Sequence, residues 1–340
     1  MQRRYARVLR RAALILAATL AAAGAARAAD HVKVCTVRTF GGGPTFIAKD
    51  KGFFAAQGLD AEVVMFDSAQ PIAVAVTSGD CDFGAGGMTA AFVTFAAQGT
   101  LKIIGAGTWE HPGFQSIGIL ASNQAYAAGL KSFAEMGGHT VAVTQLGTPL
   151  QFYFLQVAAK YHVPESVLRF LPLQANGTVA SALAGGQTDL AVQTAAPISA
   201  ITGKGDGKLL GWTADELPPR QGEAVFTATK TTNDRPAIVK AYMAGLRAGE
   251  AYFHDALVGP DDQLRQGPNA SEIIAITAKY LHQPEDVIRR GLPYFDPQSR
   301  VAPDDIDALI DWYVQQHMLK TPVKARDVID MRYAITMPKK

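Results

Sequence analysis

The sequence predicts an α/β protein made of two similar units, and three observations carry that prediction. β-Branched apolar runs alternate with helix-like segments from His31 onward, and glycine or proline punctuates most boundaries. One helix–turn–strand pattern occurs twice at matching places in two successive cycles. Strands and helices alternating at this spacing imply mostly parallel sheets covered on both faces.

The elements follow in order. "HVKVCTV" reads as a strand, and Pro44 suits the first turn of the next helix, where its missing N–H costs nothing. "TFIAKDKGFF" continues that helix to a stop at Gly52, and "LDAEVVMFD" is a second strand. Pro71 opens the helix "PIAVAVTSG", which leads into the strand-like "CDFGAGG". "TAAFVTFAAQG" and "LKIIGAG" complete the first cycle as helix and buried strand, with Trp109-Glu110-His111 expected as the loop that follows. The second cycle runs "HTVAVTQ", "TPLQFYFLQVAAKYH", "VLRFLPL", then helix and strand. Ile72–Gly87 aligns without gaps on Val179–Thr194, placing Gly79 against Gly186 and Asp82 against Asp189. Helix C-cap glycines and turn aspartates recur in any α/β protein. Two copies at matching places point instead to two lobes. Beyond about residue 225 the chain turns helical, with Asn233 and Asp234 before Pro236, Asn269 and Ser271 before "EIIAITAKYLH", and Pro303-Asp304-Asp305 opening "IDALIDWYVQQHML".

The ends and the charge bound the function. Arg3, Arg4, Arg7, Arg10 and Arg11 precede the apolar run "AALILAATLAAAG", and Ala26-Arg27-Ala28 fits a signal-peptidase site. Residues 1–28 therefore read as a secretory signal, too short to span a bilayer. They hold six arginines and no carboxylate, so Lys+Arg falls from 32 to 26 against 30 Asp+Glu. The formal charge accordingly moves from +2 to −4. The apparent basicity belongs to the export signal, and no basic stripe interleaved with aromatics remains for nucleic acid. The only cysteines, Cys35 and Cys81, fall in strand-like segments expected to be neighbours. An oxidising compartment permits a bridge, adjacent parallel strands often disfavour its geometry, and both states stay open.

Enzyme motifs are missing. There is no Gly-x-Ser-x-Gly elbow, no His-Glu-x-x-His and no supported Cys–His pair. "FGGGPTF" lacks both phosphate-loop spacings, and the seven histidines show no metal-ligand pattern. No cofactor, metal or chemistry is expected. The polar candidates fall instead on strand-to-helix loops: Thr39–Thr45, Gln70-Pro71, Gly86–Thr89, Gly147-Thr148-Pro149, Asn176-Gly177-Thr178 and Gln193-Thr194. In open α/β sheets ligands bind beyond the carboxyl ends of strands, and helix N-termini there offer free N–H groups. Two lobes presenting such loops to each other make a clamp for a small carried ligand.

The residues "GPTFIAKDKGFFAAQGLDAEVVMF", "SGDCDFGAGG" and "AIVKAYMAGLRAGEAYF" resemble, in order, blocks of the ABC-transporter solute-binding proteins of the nitrate/sulfonate/taurine/thiamine-precursor group. The resemblance implies a type II periplasmic binding protein: two α/β lobes with mixed, mostly parallel sheets and a ligand cleft between them. It implies a discontinuous first lobe, 29–120 plus 221–340, with 121–220 inserted as the second and the helical tail packed on the first. It also implies a monomer in the periplasm that delivers a small molecule to an ABC permease. The expected ligand is a small organic anion of sulfonate or carboxylate type; the alternatives are a heteroaromatic thiamine-precursor ligand, a sensory binding protein, or a pyrimidine-synthase-like enzyme. The ligand-binding residues carried over are Phe40, Gly42, Gln70, Gly87, Met88, Thr89, Trp109, His111, Thr148, Asn176 and Gln193. Thr89 and Thr148 also read as helix caps, Met88 as core, Trp109 as a possible cover for the sheet, and His111 as a loop hydrogen-bonder. Arg38 is the cation nearest the expected cleft.

Overall fold

A computed structural model describes residues 28–320 and 322–338; the expected export signal lies outside them except for its last residue. In chain order the strands are β1 (Asp30–Val37), β2 (Leu59–Phe66), β3 (Phe83–Gly87), β4 (Leu101–Ala106), β5 (Thr108–Glu110), β6 (Ile117–Ser122), β7 (Thr140–Val143), β8 (Arg169–Pro172), β9 (Leu190–Thr194), β10 (Gly207–Trp212), β11 (Arg220–Gln221), β12 (Glu223–Ala228) and β13 (Tyr294–Phe295). They form two five-stranded sheets, β2-β1-β3-β12-β4 and β8-β7-β9-β6-β10, and a small third sheet, β11-β5-β13.

The two large sheets are copies of one design. In the first, β1 runs parallel to β2 and β3, and β12 runs antiparallel to β3 and β4. In the second, β7 runs parallel to β8 and β9, and β6 runs antiparallel to β9 and β10. Each sheet thus receives its fourth strand from a crossing of the chain. The internal repeat lies on corresponding elements. Gly79 and Gly186 both take positive φ, +88° and +67°, ending the helices before β3 and β9. Asp82 and Asp189 then do the same work. Asp82 Oδ2 accepts the Lys33 main-chain N–H at 2.8 Å, and Asp189 Oδ2 accepts that of Thr140 at 2.9 Å. Each carboxylate ties the turn ahead of the third strand to the strand beside it.

The helices form where the sequence places them. Pro44 and Pro71 occupy the first turns of helices Gly43–Asp50 and Gln70–Ser78. Thr89 and Thr148 cap helices Ala90–Ala97 and Pro149–Lys160, accepting from Phe92 N at 3.2 Å and Gln151 N at 3.4 Å. The long helix Pro236–Leu257 packs on the first sheet: Val239, Tyr242 and Met243 join Val32, Val34 and Phe83 in one core. Phe253 and Leu257 meet Phe46, Ile47 and Ile273 in another. Helix Pro303–Gln315 bridges the lobes, with the Trp312 ring 5.4 Å from that of Phe152.

Two readings are resolved by the geometry. Cys35 and Cys81 are joined in a disulfide with Cα atoms 6.0 Å apart. Cys35 pairs in the ladder with Gly84, and Cys81 lies in the turn ahead of β3, so the bridge does not join directly paired strand positions. The poor geometry of such pairs therefore does not apply. Trp109 and Glu110, expected in a loop, instead form β5, where Trp109 pairs with Gln221 and Tyr294.

Asp189→Ala removes the acceptor for both the Thr140 amide and the Thr140 hydroxyl, each at 2.9 Å. We expect a loss of about 1–3 kcal/mol in unfolding free energy, read from urea midpoints at constant m. Asp82→Ala should cost a similar amount, and an unchanged midpoint for both would remove their role as matched ties.

Candidate ligand site between the lobes

A cavity of about 60 Å³ lies where the two sheets face each other. The first lobe contributes Thr39, Phe40, Gly41, Ser68, Gly87 and Thr89. Opposite them stand Ser116, Thr144, Gln145, Thr148, Asn176 and Thr194. Helices begin at this wall on both sides, at Ala90, Pro149, Asn176 and Ala195, so main-chain N–H groups and dipole ends converge on it. The two threonine-capped helices meet nearly end to end: Ala90 N donates to Gly147 O across the cleft at 2.9 Å. Phe40 packs with Ala195 and Ala196 of the facing lobe. The lobes are closed.

Of the residues proposed from sequence, Phe40, Gly87, Thr89, Thr148 and Asn176 line this cavity. The other six stand elsewhere. Gly42 faces its own helix, because a Cβ there would stand 2.4 Å from the Phe46 ring. Gln70 lines an adjoining outer groove with Phe66 and Val74. Met88 is buried, with its carbonyl accepting from Tyr313 Oη at 2.7 Å. Trp109 is core, and its indole N–H has no partner among the described residues. His111 stacks on Tyr294 with ring centroids 4.5 Å apart. Gln193 is buried behind the wall, its Nε2 donating to Asn176 O at 3.5 Å.

The deepest charge on the wall was not among those residues. Glu223, the first residue of β12, lines the cavity beside Gly87, its partner in the ladder. Gly41 approaches it so closely that a Cβ there would lie 2.5 Å from Glu223 Oε2. The glycine run after β1 therefore makes room for this carboxylate. Burial pushes the Glu223 acid up to about 7, against hydrogen bonds from the Thr108 hydroxyl and amide. Glu110 lies behind it with no exposed surface, and Thr213 Oγ1 donates to its Oε2 at 2.5 Å. Glu110 Oε1 has no partner among the described residues. Burial pushes this acid up to about 7 as well; the Ser116 and Thr213 hydroxyls draw it down, and the Glu223 charge adds to the rise. Asp67 also borders the cavity, but its side chain is 73% exposed at the mouth and Arg38 Nε stands 3.5 Å from it. No lysine, arginine or histidine is among the described residues lining the cavity.

Two lobes of one design, joined by crossing strands and closed on a small cavity, define the class: the two-lobed α/β fold of type II periplasmic binding proteins. The chain belongs to the NMT1/THI5-like family, whose sequence profile matches residues 41–256. Solved structures share the fold. The alkanesulfonate-binding protein SsuA of Xanthomonas axonopodis pv. citri, bound to MOPS, matches with a TM-score of 0.69 at 18% identity, covering 88% of this chain and 98% of that one. The periplasmic aliphatic sulphonate binding protein SsuA of Escherichia coli gives 0.68 at 16%, covering 92% and 94%. The periplasmic nitrate-binding protein NrtA of Synechocystis PCC 6803 gives 0.65 at 15%, covering 87% and 84%. The desulfurization enzyme DSZB shares the architecture at 13% identity and a TM-score of 0.59, covering 90% and 96%. No curated protein matches the sequence.

Glu110 gives this site a pH signature in stability. Its acid rises from 4.5 to about 7 on folding, so the folded state holds the proton more tightly and stability falls as pH rises through that window. Glu110→Gln cannot ionise. The drop in unfolding free energy between pH 5 and pH 8 should shrink by on the order of 2–3 kcal/mol in the variant, measured by urea unfolding at both pH values. Equal drops in both proteins would mean that Glu110 is not the buried acid.

Proposed function

We propose that the chain is the periplasmic substrate-binding component of an ABC importer, which closes two lobes on a small organic molecule and presents it to an inner-membrane permease. Its lobes are taken as 29–120 with 221–340, and 121–220, with β6 (Ile117–Ser122) already paired into the second sheet ahead of that boundary. The observation that carries this reading is the cavity between facing helix N-termini, bridged by a hydrogen bond from one lobe to the other. An exported chain fits it, because the disulfide suits an oxidising compartment. Carriage rather than chemistry fits the wall, since among the described residues lining the cavity there is no cysteine or histidine to serve as nucleophile or base.

The ligand enters through differential affinity. A molecule held by both walls binds the closed state more tightly than the open one and shifts the population toward closure. The helices that begin at Ala90, Pro149 and Asn176 bring their positive dipole ends to the wall and give an anionic group of sulfonate or carboxylate type a place to sit. Thr89 and Thr148 add hydroxyls beside it. The heteroaromatic alternative has less support, because Phe40 is the one aromatic side chain among the described residues on this wall.

A thermal-shift screen of sulfonates, carboxylates, nitrate and pyrimidines should find one stabilising class, with about 2.7 kcal/mol gained at a hundred times Kd. Turnover of that molecule by the purified protein would end the carrier reading. Closure has its own test at Gly291, where a Cβ would stand 2.7 Å from Ala195 Cβ on the facing lobe. Gly291→Val should wedge the lobes apart, weaken the ligand at least tenfold, and abolish the ligand-induced contraction seen by small-angle scattering. Undiminished affinity and contraction would show that the lobes do not close at this contact.

A further inference from the structure

Resting on that reading, we infer that Glu223 is a specificity-determining residue: it receives an ammonium group of the ligand, so the cavity selects molecules that carry a positively charged nitrogen beside their anionic group. Three observations carry it. The first is the position of the carboxylate on the cavity wall, beneath Gly41 and beside Gly87, with no cation among the described lining residues to neutralise it. The second is a surplus of acceptors. Gln145 Oε1, on a residue only 9% exposed, and Gln115 Oε1 both border the cavity with no hydrogen-bond partner among the described residues. An anion brings only more acceptors, whereas an ammonium group brings three donors. The third is the charge conflict within one small space. Helix N-termini draw a negative group and a poorly solvated carboxylate repels it; a ligand bearing both signs, each at its own end, satisfies both walls.

The proton balance follows from the groups around Glu223. The Glu223 charge adds to the rise of Glu110 on β5, itself an acid raised to about 7. Beyond Glu110 stand Tyr153, whose hydroxyl donates to Gln221 O, Arg220 on β11, and Asp305, all within electrostatic reach of that tyrosine. Asp67 faces the same cavity from the mouth with Arg38 beside it. Below neutral pH the Glu110–Glu223 pair holds protons. An arriving ammonium group requires the ionised form of Glu223, so the carboxyl O–H bond breaks and the proton passes to solvent. Binding of an ammonium ligand therefore strengthens as pH rises through 7 and levels off above it. An anion without the nitrogen does the opposite, because ionised Glu223 repels it.

The test uses the mature chain and matched pairs of probes: butanoate with 4-aminobutanoate, and propanesulfonate with 3-aminopropanesulfonate. The amino member of a pair should bind at least tenfold more tightly than its partner at pH 8. Its affinity should rise about tenfold from pH 6 to pH 8, the change in ionised fraction of an acid near 7. Titration calorimetry in two buffers of different ionisation enthalpy should show net proton release at pH 6.5 in the wild type, a readout that needs no variant. Glu223→Gln should remove the preference, the pH dependence and the proton release together. If the amino and plain members bind alike, or binding weakens with rising pH, the assignment of Glu223 is wrong while the receptor reading stands. If no amino member binds although another compound in the wider screen does, the assignment also falls alone. If nothing in either set binds, the receptor reading falls with it.

Discussion

The site depends on two strands that cross between the lobes and enter their sheets backwards. In each sheet β1, β2 and β3, or β7, β8 and β9, run parallel and end at the cleft. β12 and β6 run the other way, so they reach the cleft with their first residues. Glu223 thereby stands beside Gly87, and Ile117 beside Thr194. The crossings do two things at once. They tie the lobes together, and they bring the start of a strand, with the chain leading into it, to a wall otherwise made of strand ends and helix starts. Gly222 and Glu223 arrive on one crossing, and Thr108, Gln115, Ser116 and Ile117 on the other.

This geometry explains what the sequence disclosed and what it hid. Elements whose signals are local were legible: Pro44 and Pro71 at helix starts, Thr89 and Thr148 as caps, Gly79 and Gly186 at helix ends. The match of Asp82 with Asp189 was legible too, and the structure gives it a physical content in two equivalent ties to a neighbouring strand. The cavity residues found in advance, Phe40, Gly87, Thr89, Thr148 and Asn176, all stand at or just past the end of a parallel strand. A search beyond carboxyl ends cannot find Glu223 or Gln115, because strand direction in a mixed sheet is set by pairing and not by composition. Trp109 and His111 were drawn to the cleft for the same reason in reverse. The segment after β4 does not stop in a loop; it continues as β5, and pairing with Gln221 and Tyr294 turns the indole into the core. Gln193 failed by alternation, since successive strand residues face opposite sides: Thr194 lines the cavity and its neighbour lies behind it.

The glycines after β1 have an electrostatic consequence as well as a steric one. Any side chain at Gly41 would collide with Glu223 Oε2, the tip of a half-buried side chain. The Thr108 hydroxyl and amide stabilise its ionised form, yet burial outweighs them and leaves the acid near neutrality. Glu110 behind it is drawn down by the Ser116 and Thr213 hydroxyls, yet burial outweighs them as well and leaves this acid near 7. Two adjacent acids of similar proton affinity titrate as a pair. A change of charge on the cavity side is therefore felt by a group wholly inside the protein, at the strand pair that forms the crossing.

Closure and recognition share one cost. With the lobes together, Gln145 Oε1 and Thr194 Oγ1 border the cavity without hydrogen-bond partners among the described residues. A buried polar group left without a partner costs about 1–3 kcal/mol, so closure favours an occupant, ligand or water, that pairs with these groups. The direct contacts that oppose this penalty include one main-chain bond from Ala90 to Gly147, Phe40 and Gly291 against Ala195, the bridge of Trp312 to Phe152, and Gln316 Nε2 donating to Glu165 Oε2. A ligand that supplies the missing donors removes the penalty and leaves those contacts unopposed. The same polar groups that give the cavity its selectivity thus make the closed state depend on the right occupant.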